Sequence, residues 1–187
     1  MIKDDAKLEL KRIFFEFEEK PILVRCLKDH AGIHLGSNKL PLQRGSEIEL
    51  PFWIARRLSE EGYVEMKNMK AFDISYMTSL LWDERKSQTP LELDEDFYSI
   101  VALQIDQLQE KGSAFVLRDK ERMEALLKDI ISKRRFKIIK LAQKSGDPSP
   151  YIKNLTPEEY WLFKILREQL SEWEKSLIEE KNNSTLE

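Results

Sequence analysis

Cys26, His30 and His34 stand four residues apart, with Asp29 beside them, and all four side-chain types can bind zinc. A thiolate and two imidazoles suit a tetrahedral ion, but a structural site closes only with a fourth ligand. A spacing of four gathers side chains on a helix, whereas Gly32 and Gly36 predict a loop. The set matches no familiar zinc pattern. It reads as a strand cysteine with two loop histidines, and no metal is expected. General acid–base chemistry needs carboxylates in a protected pocket. Glu18-Glu19, Glu60-Glu61, Asp94-Glu95-Asp96 and Glu158-Glu159 instead fall at predicted turns and helix starts, where they offset the helix dipole or sit in water. No nucleophile elbow or His-paired serine is present. Gly32-Ile33-His34-Leu35-Gly36 lacks the third glycine and the long helix of a phosphate cradle. No catalytic residue, no cofactor and no enzyme activity are predicted.

Binding is the remaining chemistry. Charged residues make up 35% of the chain yet nearly cancel, leaving a net charge of −3. That balance gives no whole-molecule attraction to nucleic acid or to an anionic membrane, so any such contact needs a local patch. One patch exists: Lys133, Arg134 and Arg135, with Lys128, Lys137, Lys140 and Lys144 nearby. A nucleic-acid-binding module using the basic helix 128–144 is the alternative reading; a solvated or salt-bridged helix face explains the same residues. Trp53, Trp82, Trp161 and Trp173 could anchor protein interfaces, although for Trp53 and Trp173, in step with their apolar stripes, burial in a core is the favoured reading. The single cysteine excludes an internal disulfide and fits a reducing compartment. The opening residues do not resemble a signal peptide, and no apolar run approaches the roughly 20 residues a bilayer requires. The expected location is the cytoplasm, in association with the nucleoid.

The elements that must position these residues come in two textures, predicting an α+β protein. Residues 1–68 read as a small β-rich domain with one closing helix, and residues 69–187 as an α-helical domain with a polar tail. In the first, Arg12–Phe17 and Ile22–Leu27 have the β-branched and aromatic content of strands. Gly32, Gly36, Pro41 and Gly45 break the chain too often for a helix. Glu47–Leu50 alternates as a half-buried strand, and Pro51 opens a helix Phe52–Glu61 with Trp53, Ile54 and Leu58 facing inward.

In the second texture, Ile74, Met77, Leu80 and Leu81 share one helix face. Asp94 is predicted to cap a second helix, carrying Phe97, Ile100, Val101, Leu103 or Gln104, and Leu108, that stops at Gly112. A third runs from about Asp119 to Lys144 through Met123, Leu126, Leu127, Ile130, Ile131, Ile138 and Leu141, spanning roughly 40 Å. Residues 145–155 turn the chain. Thr156-Pro157-Glu158-Glu159 is a capping box opening a last helix striped by Leu162, Ile165, Leu166, Leu170, Trp173 and Leu177, before a polar tail, Lys181–Glu187, expected to fray. Helices this long in so short a chain expose apolar stripes that favour oligomerisation. The candidate protein-interface residues are Trp53, Phe163, Leu166, Leu170 and Trp173.

Gly45-Ser46-Glu47-Ile48-Glu49-Leu50-Pro51-Phe52-Trp53-Ile54-Ala55 resembles the glycine, acidic strand and Leu-Pro-aromatic-Trp helix start of the GINS family, in its archaeal subunit class with the small β-rich domain first. Arg134-Arg135-Phe136-Lys137-Ile138-Ile139-Lys140-Leu141-Ala142 resembles the family's Arg-x-x-Lys-Ile-x-x-Leu-Ala helix. Leu155 to Glu159, followed by Leu166, Leu170 and Trp173, is similar to its last helix. The resemblance implies a tetramer with a second GINS subunit of reversed domain order. It implies a non-catalytic accessory to the replicative helicase that bridges the MCM ring and a RecJ-like protein, with DNA contact secondary and ATP spent by MCM.

Overall fold

The structure is a computed structural model describing residues 2–35, 38–110, 114–144, 146 and 148–183, with side-chain surroundings for 5–33, 39–108, 117–144, 146 and 148–178. The chain forms two compact units, Met1–Lys70 and Ala71–Glu187.

The first unit contains α1 (Ile2–Glu18), β1 (Pro21–Cys26), β2 (His30–Leu35), β3 (Asn38–Leu42), β4 (Glu47–Pro51), α2 (Phe52–Glu60) and β5 (Val64–Met66). β1 is the middle strand of an antiparallel sheet ordered β4-β1-β5, and β2 pairs with β3. Val24, Cys26, Leu42, Leu50, Ile54, Ala55 and Val64 form the core, with Leu58 partly buried against it.

Two expectations are overturned here. Arg12–Phe17 is helical, because Ile13 and Phe17, four apart, both bury. Arg12 also pairs with Glu9 and Glu16, at the three- and four-residue spacings that only a helix brings together. The segment around Gly32 is a strand rather than a loop. A bulge between His30 and Ile33 absorbs the glycine, whose φ of +139° and close cover by the Lys39 side chain exclude a Cβ.

α2 follows the sequence reading. Pro51 is its N-cap residue, and the helix ends on a Schellman motif: Gly62 N–H donates to Ser59 C=O at 3.0 Å and Tyr63 N–H to Leu58 C=O at 2.9 Å. The inward residues are Phe52, Ile54 and Ala55, however, and Trp53 points out. Phe52 takes the core position and packs on Phe17 of α1, ring centres 4.7 Å apart.

The second unit holds α3 (Ile74–Lys86), α4 (Phe97–Glu110), α5 (Ala114–Ala142), the short α6 (Ser149–Ile152) and α7 (Pro157–Asn183). Together the units make an α+β protein with a small β-rich part ahead of a helical bundle. Asp73 caps α3, accepting from Tyr76 N–H at 2.7 Å. Asp94 accepts from Asp96 N–H at 3.0 Å in the turn before α4, whose first carbonyl is that of Asp96, two residues later than predicted. Gly112, the predicted stop, lies outside the described residues, as do 184–187 of the tail; α7 itself runs to Asn183. The turn predicted over 145–155 includes α6.

α5 has 29 residues, about 43 Å at 1.5 Å per residue, and packs against α3, α4 and α7. Toward its start, Met123 and Ile130 are buried, as are Met77, Leu80 and Leu81 on α3 and Phe97, Ile100, Val101 and Leu103 on α4. Toward its end, Ile138, Leu141 and Ala142 pack with Phe163 of α7. Ile131, predicted on the stripe, is exposed.

Candidate interface residues and the buried charge cluster

Arg134, predicted as a surface contact for nucleic acid, is fully buried, with 0% of its side chain exposed. It lies on the apolar stripe of α5, four residues after Ile130 and four before Ile138, so it points into the bundle. Its Nε donates to Glu159 Oε1 at 2.5 Å and its Nη2 to Glu159 Oε2 at 2.6 Å. Nη1 donates to Glu84 Oε1 and to the Leu91 carbonyl, the latter at 2.8 Å. Nη2 also reaches the Asn154 carbonyl at 3.0 Å. All five guanidinium N–H donors are thus used. Lys137, one turn on, donates to Glu84 Oε2 and, at 3.0 Å, to the Thr89 carbonyl.

Tyr98 hydroxyl donates to Glu159 Oε1 at 2.6 Å, and Leu91 N–H to Glu84 Oε1 at 3.0 Å. Thr156 N–H donates to Glu159 Oε2 at 3.2 Å, the returning arm of the predicted capping box, but the forward arm is missing, since the buried Thr156 Oγ1 has no hydrogen-bond partner among the described residues. Two cations face two carboxylates, so the cluster is neutral and each of the four charged groups is hydrogen-bonded, the condition under which buried charge is tolerated. Burial works against the Arg134 charge, but the hydrogen bond and charge of Glu159, with Glu84, outweigh it and hold the guanidinium above its ordinary value. Burial, then the Glu159 charge, pushes the Tyr98 hydroxyl well up. Burial also raises the neighbouring Glu158 carboxyl above the usual carboxylate range.

Glu159 therefore does not sit in water as a helix-start acid, and Glu84, which the sequence reading left aside, is buried with it. Their part was missed, though a signal was present. Glu84 follows Met77, Leu80 and Leu81 at three- and four-residue steps, and Arg134 interrupts the α5 stripe. Charge on an apolar stripe marks a buried partner.

The interface candidates divide. Phe163, 5% exposed, is a core residue rather than an available anchor. Leu166 and Leu170 are partly buried against the same cluster. Trp173 is 61% exposed and Trp53 49%, so neither is packed in a core. Every residue from Ser171 to Ile178 is exposed, so this part of α7 has no cover among the described residues. The stripe that begins with Leu162, Leu166 and Leu170 against the core continues outward through Trp173 and Leu177. Trp82 is exposed on α3. Lys133 and Arg135 are exposed, but with Arg134 and Lys137 buried the basic run is not one continuous surface.

Cys26 is buried in the β-unit core. His30 Nδ1 accepts from Gly32 N–H at 3.2 Å, and its ring meets Tyr63 edge-on at 5.3 Å. Asp29 Oδ1 accepts from Arg44 N–H at 2.8 Å. The His34 side chain lies outside the described residues. Among those described, no helix is long and apolar enough to cross a membrane.

A comparison with curated proteins finds no match. Residues 71–178, more than half of the chain and spanning α3 to α6 and most of α7, match the family described as the GINS complex protein helical bundle domain, Sld5. The chain belongs to the GINS family and is a subunit of a GINS DNA-replication complex, which it forms with other GINS subunits.

Proposed function

We propose that this subunit is of the archaeal class that places the small β-rich domain first, and that it acts without catalysis, by contributing surface. Its partner is a second GINS subunit of reversed domain order, and the assembly is a tetramer that bridges the MCM helicase and a RecJ-like protein at the nucleoid. The observation that carries this reading is the outward continuation of the α7 stripe, from Leu166 and Leu170 to the exposed Trp173 and Leu177. An amphipathic helix exposed on its apolar side is covered by another chain. The order of the two units, with Leu50-Pro51-Phe52-Trp53 before the bundle, supports the subunit class. Exposed Trp53 supports a docking role for the β-rich unit.

The test is affinity purification of the tagged chain from native cells, followed by native mass spectrometry. The expected result is a tetramer containing a second chain of similar size, with MCM and a RecJ-like protein in the eluate. A lone monomer in the presence of those partners overturns the reading.

A further inference from the structure

A cleft of about 740 Å³ opens in the helical unit between the last turn of α3 and the second half of α5. Arg85, Lys86, Lys133, Lys137 and Lys140 line it against one carboxylate, Glu84. Glu84 is spent inward on Arg134, Lys137 and Leu91 N–H, and Lys137 is spent on Glu84. What the cleft offers a ligand is Lys86, Lys133 and Lys140, which have no carboxylate partner among the described residues. Arg85 adds to them, reaching only the exposed Asp129 at 3.5 Å, a weak and screened pair. Asp129 and Asp83, beside Arg85 and Trp82, are the acids at the margin. The last-turn carbonyls of α3 carry partial negative charge, which Arg85 and Lys86 offset.

Two large rings stand among these cations. Phe136 lines the cleft and is 63% exposed, with Lys140 Nζ over its ring at 5.1 Å. Trp82, exposed, lines a neighbouring pocket that shares Arg85 with the cleft, and Lys86 Nζ lies over its ring at 4.9 Å. We propose that this cleft binds single-stranded nucleic acid, with Lys86, Lys133 and Lys140 on phosphates and Phe136 and Trp82 as stacking faces for bases. A cationic groove with interleaved exposed rings is the combination that serves single strands without sequence preference. An acidic peptide would use the lysines and leave both rings without a role. A duplex keeps its bases stacked inside and offers the rings nothing. The patch sits on a chain of net charge −3, so its field is local to the cleft. The proposal stands on this chain's own cleft and is independent of the bridging role.

The test is fluorescence anisotropy of the full chain with a labelled oligothymidylate of about 15 nucleotides across a salt series. Binding is expected at low salt and declines with added salt. The double variant Lys133→Ala/Lys140→Ala should bind about tenfold more weakly and flatten the logarithmic salt slope by about 1.4, two phosphate contacts at about 0.7 each. Phe136→Leu should cost about fivefold or more with the slope unchanged. Arg135→Ala, outside the cleft, should change nothing. All substituted side chains are exposed, and circular dichroism verifies the fold. No binding at low salt overturns the proposal. So does wild-type affinity in the folded double variant, or poly-glutamate displacing the oligonucleotide while Phe136→Leu binds as wild type, which would make the cleft a site for acidic peptide.

Discussion

Arg134 and Glu159 meet as two forks, Nε on Oε1 at 2.5 Å and Nη2 on Oε2 at 2.6 Å, inside the helical bundle. Deleting one side of such a pair leaves a buried charge without its counter-ion. Arg134→Ala is therefore expected to destabilise the chain by about 3–5 kcal/mol, read as a lower midpoint in urea. The neighbouring exposed Arg135→Ala should stay within about 0.5 kcal/mol of wild type. Equal effects of the two would mean the fork contributes nothing particular.

Tyr98 gives the cluster an alkaline limit. Burial and then the Glu159 charge raise its hydroxyl above the ordinary value of 10.0, so above that pH the unfolded chain releases a proton that the folded chain keeps. Its contribution is fully present below pH 10 and is lost as pH rises further. Stability of the wild type should fall more steeply above about pH 10 than that of Tyr98→Phe, measured by urea unfolding at stepped pH. Parallel curves would contradict the assignment.

Phe163 and Trp173 lie ten residues apart on α7 and should fail differently. Phe163→Ala opens the core beside Ile138 and Leu141 and should cost about 3–5 kcal/mol of stability. Trp173→Glu should leave the circular dichroism spectrum and urea midpoint unchanged, yet weaken binding to the partner GINS subunit more than about tenfold. A folded Trp173→Glu chain that assembles as wild type does would remove the end of α7 from the assembly face.

Limited digestion with proteinase K, which does not depend on basic residues, should cut between the two units, in the segment between β5 and α3. The segment 88–94, equally free of regular structure, should resist. Thr89, Pro90 and Leu91 carbonyls are held by Lys137, Asn154 and Arg134 respectively. First cleavage within 88–94 would contradict this order.

Much of the fold was readable because local rules and tertiary packing agree. Glu47–Leu50, the Pro51 start of α2 and its Gly62 stop are local signals that survive in place. Arg12–Phe17 misled because six residues rich in Phe and Ile fit a strand, while the burial of Ile13 and Phe17 shows only in helical register. Gly32 reads as a break unless a bulge is allowed for. The surface was harder. Spacing places Trp53 and Trp173 on stripes but does not say where a helix outruns its bundle. Net charge and charge runs do not separate Arg134, which is buried, from Lys133 and Arg135, which flank it in the open.

The acceptors around Arg134 come from α3, the segment after it, Asn154 in the turn before α7, and α7 itself. Apolar stripes repeat every three or four residues, so two long helices can slide past one another by one turn, about 5.4 Å, and still bury leucine on leucine. The guanidinium fits at one setting only. Shift α7 along α5 by a turn and Glu159 leaves the fork, with a bare ion in the interior. The cluster thus works as a vernier stop: it fixes how far along α5 the last helix begins, and so how far past the bundle Trp173 is carried.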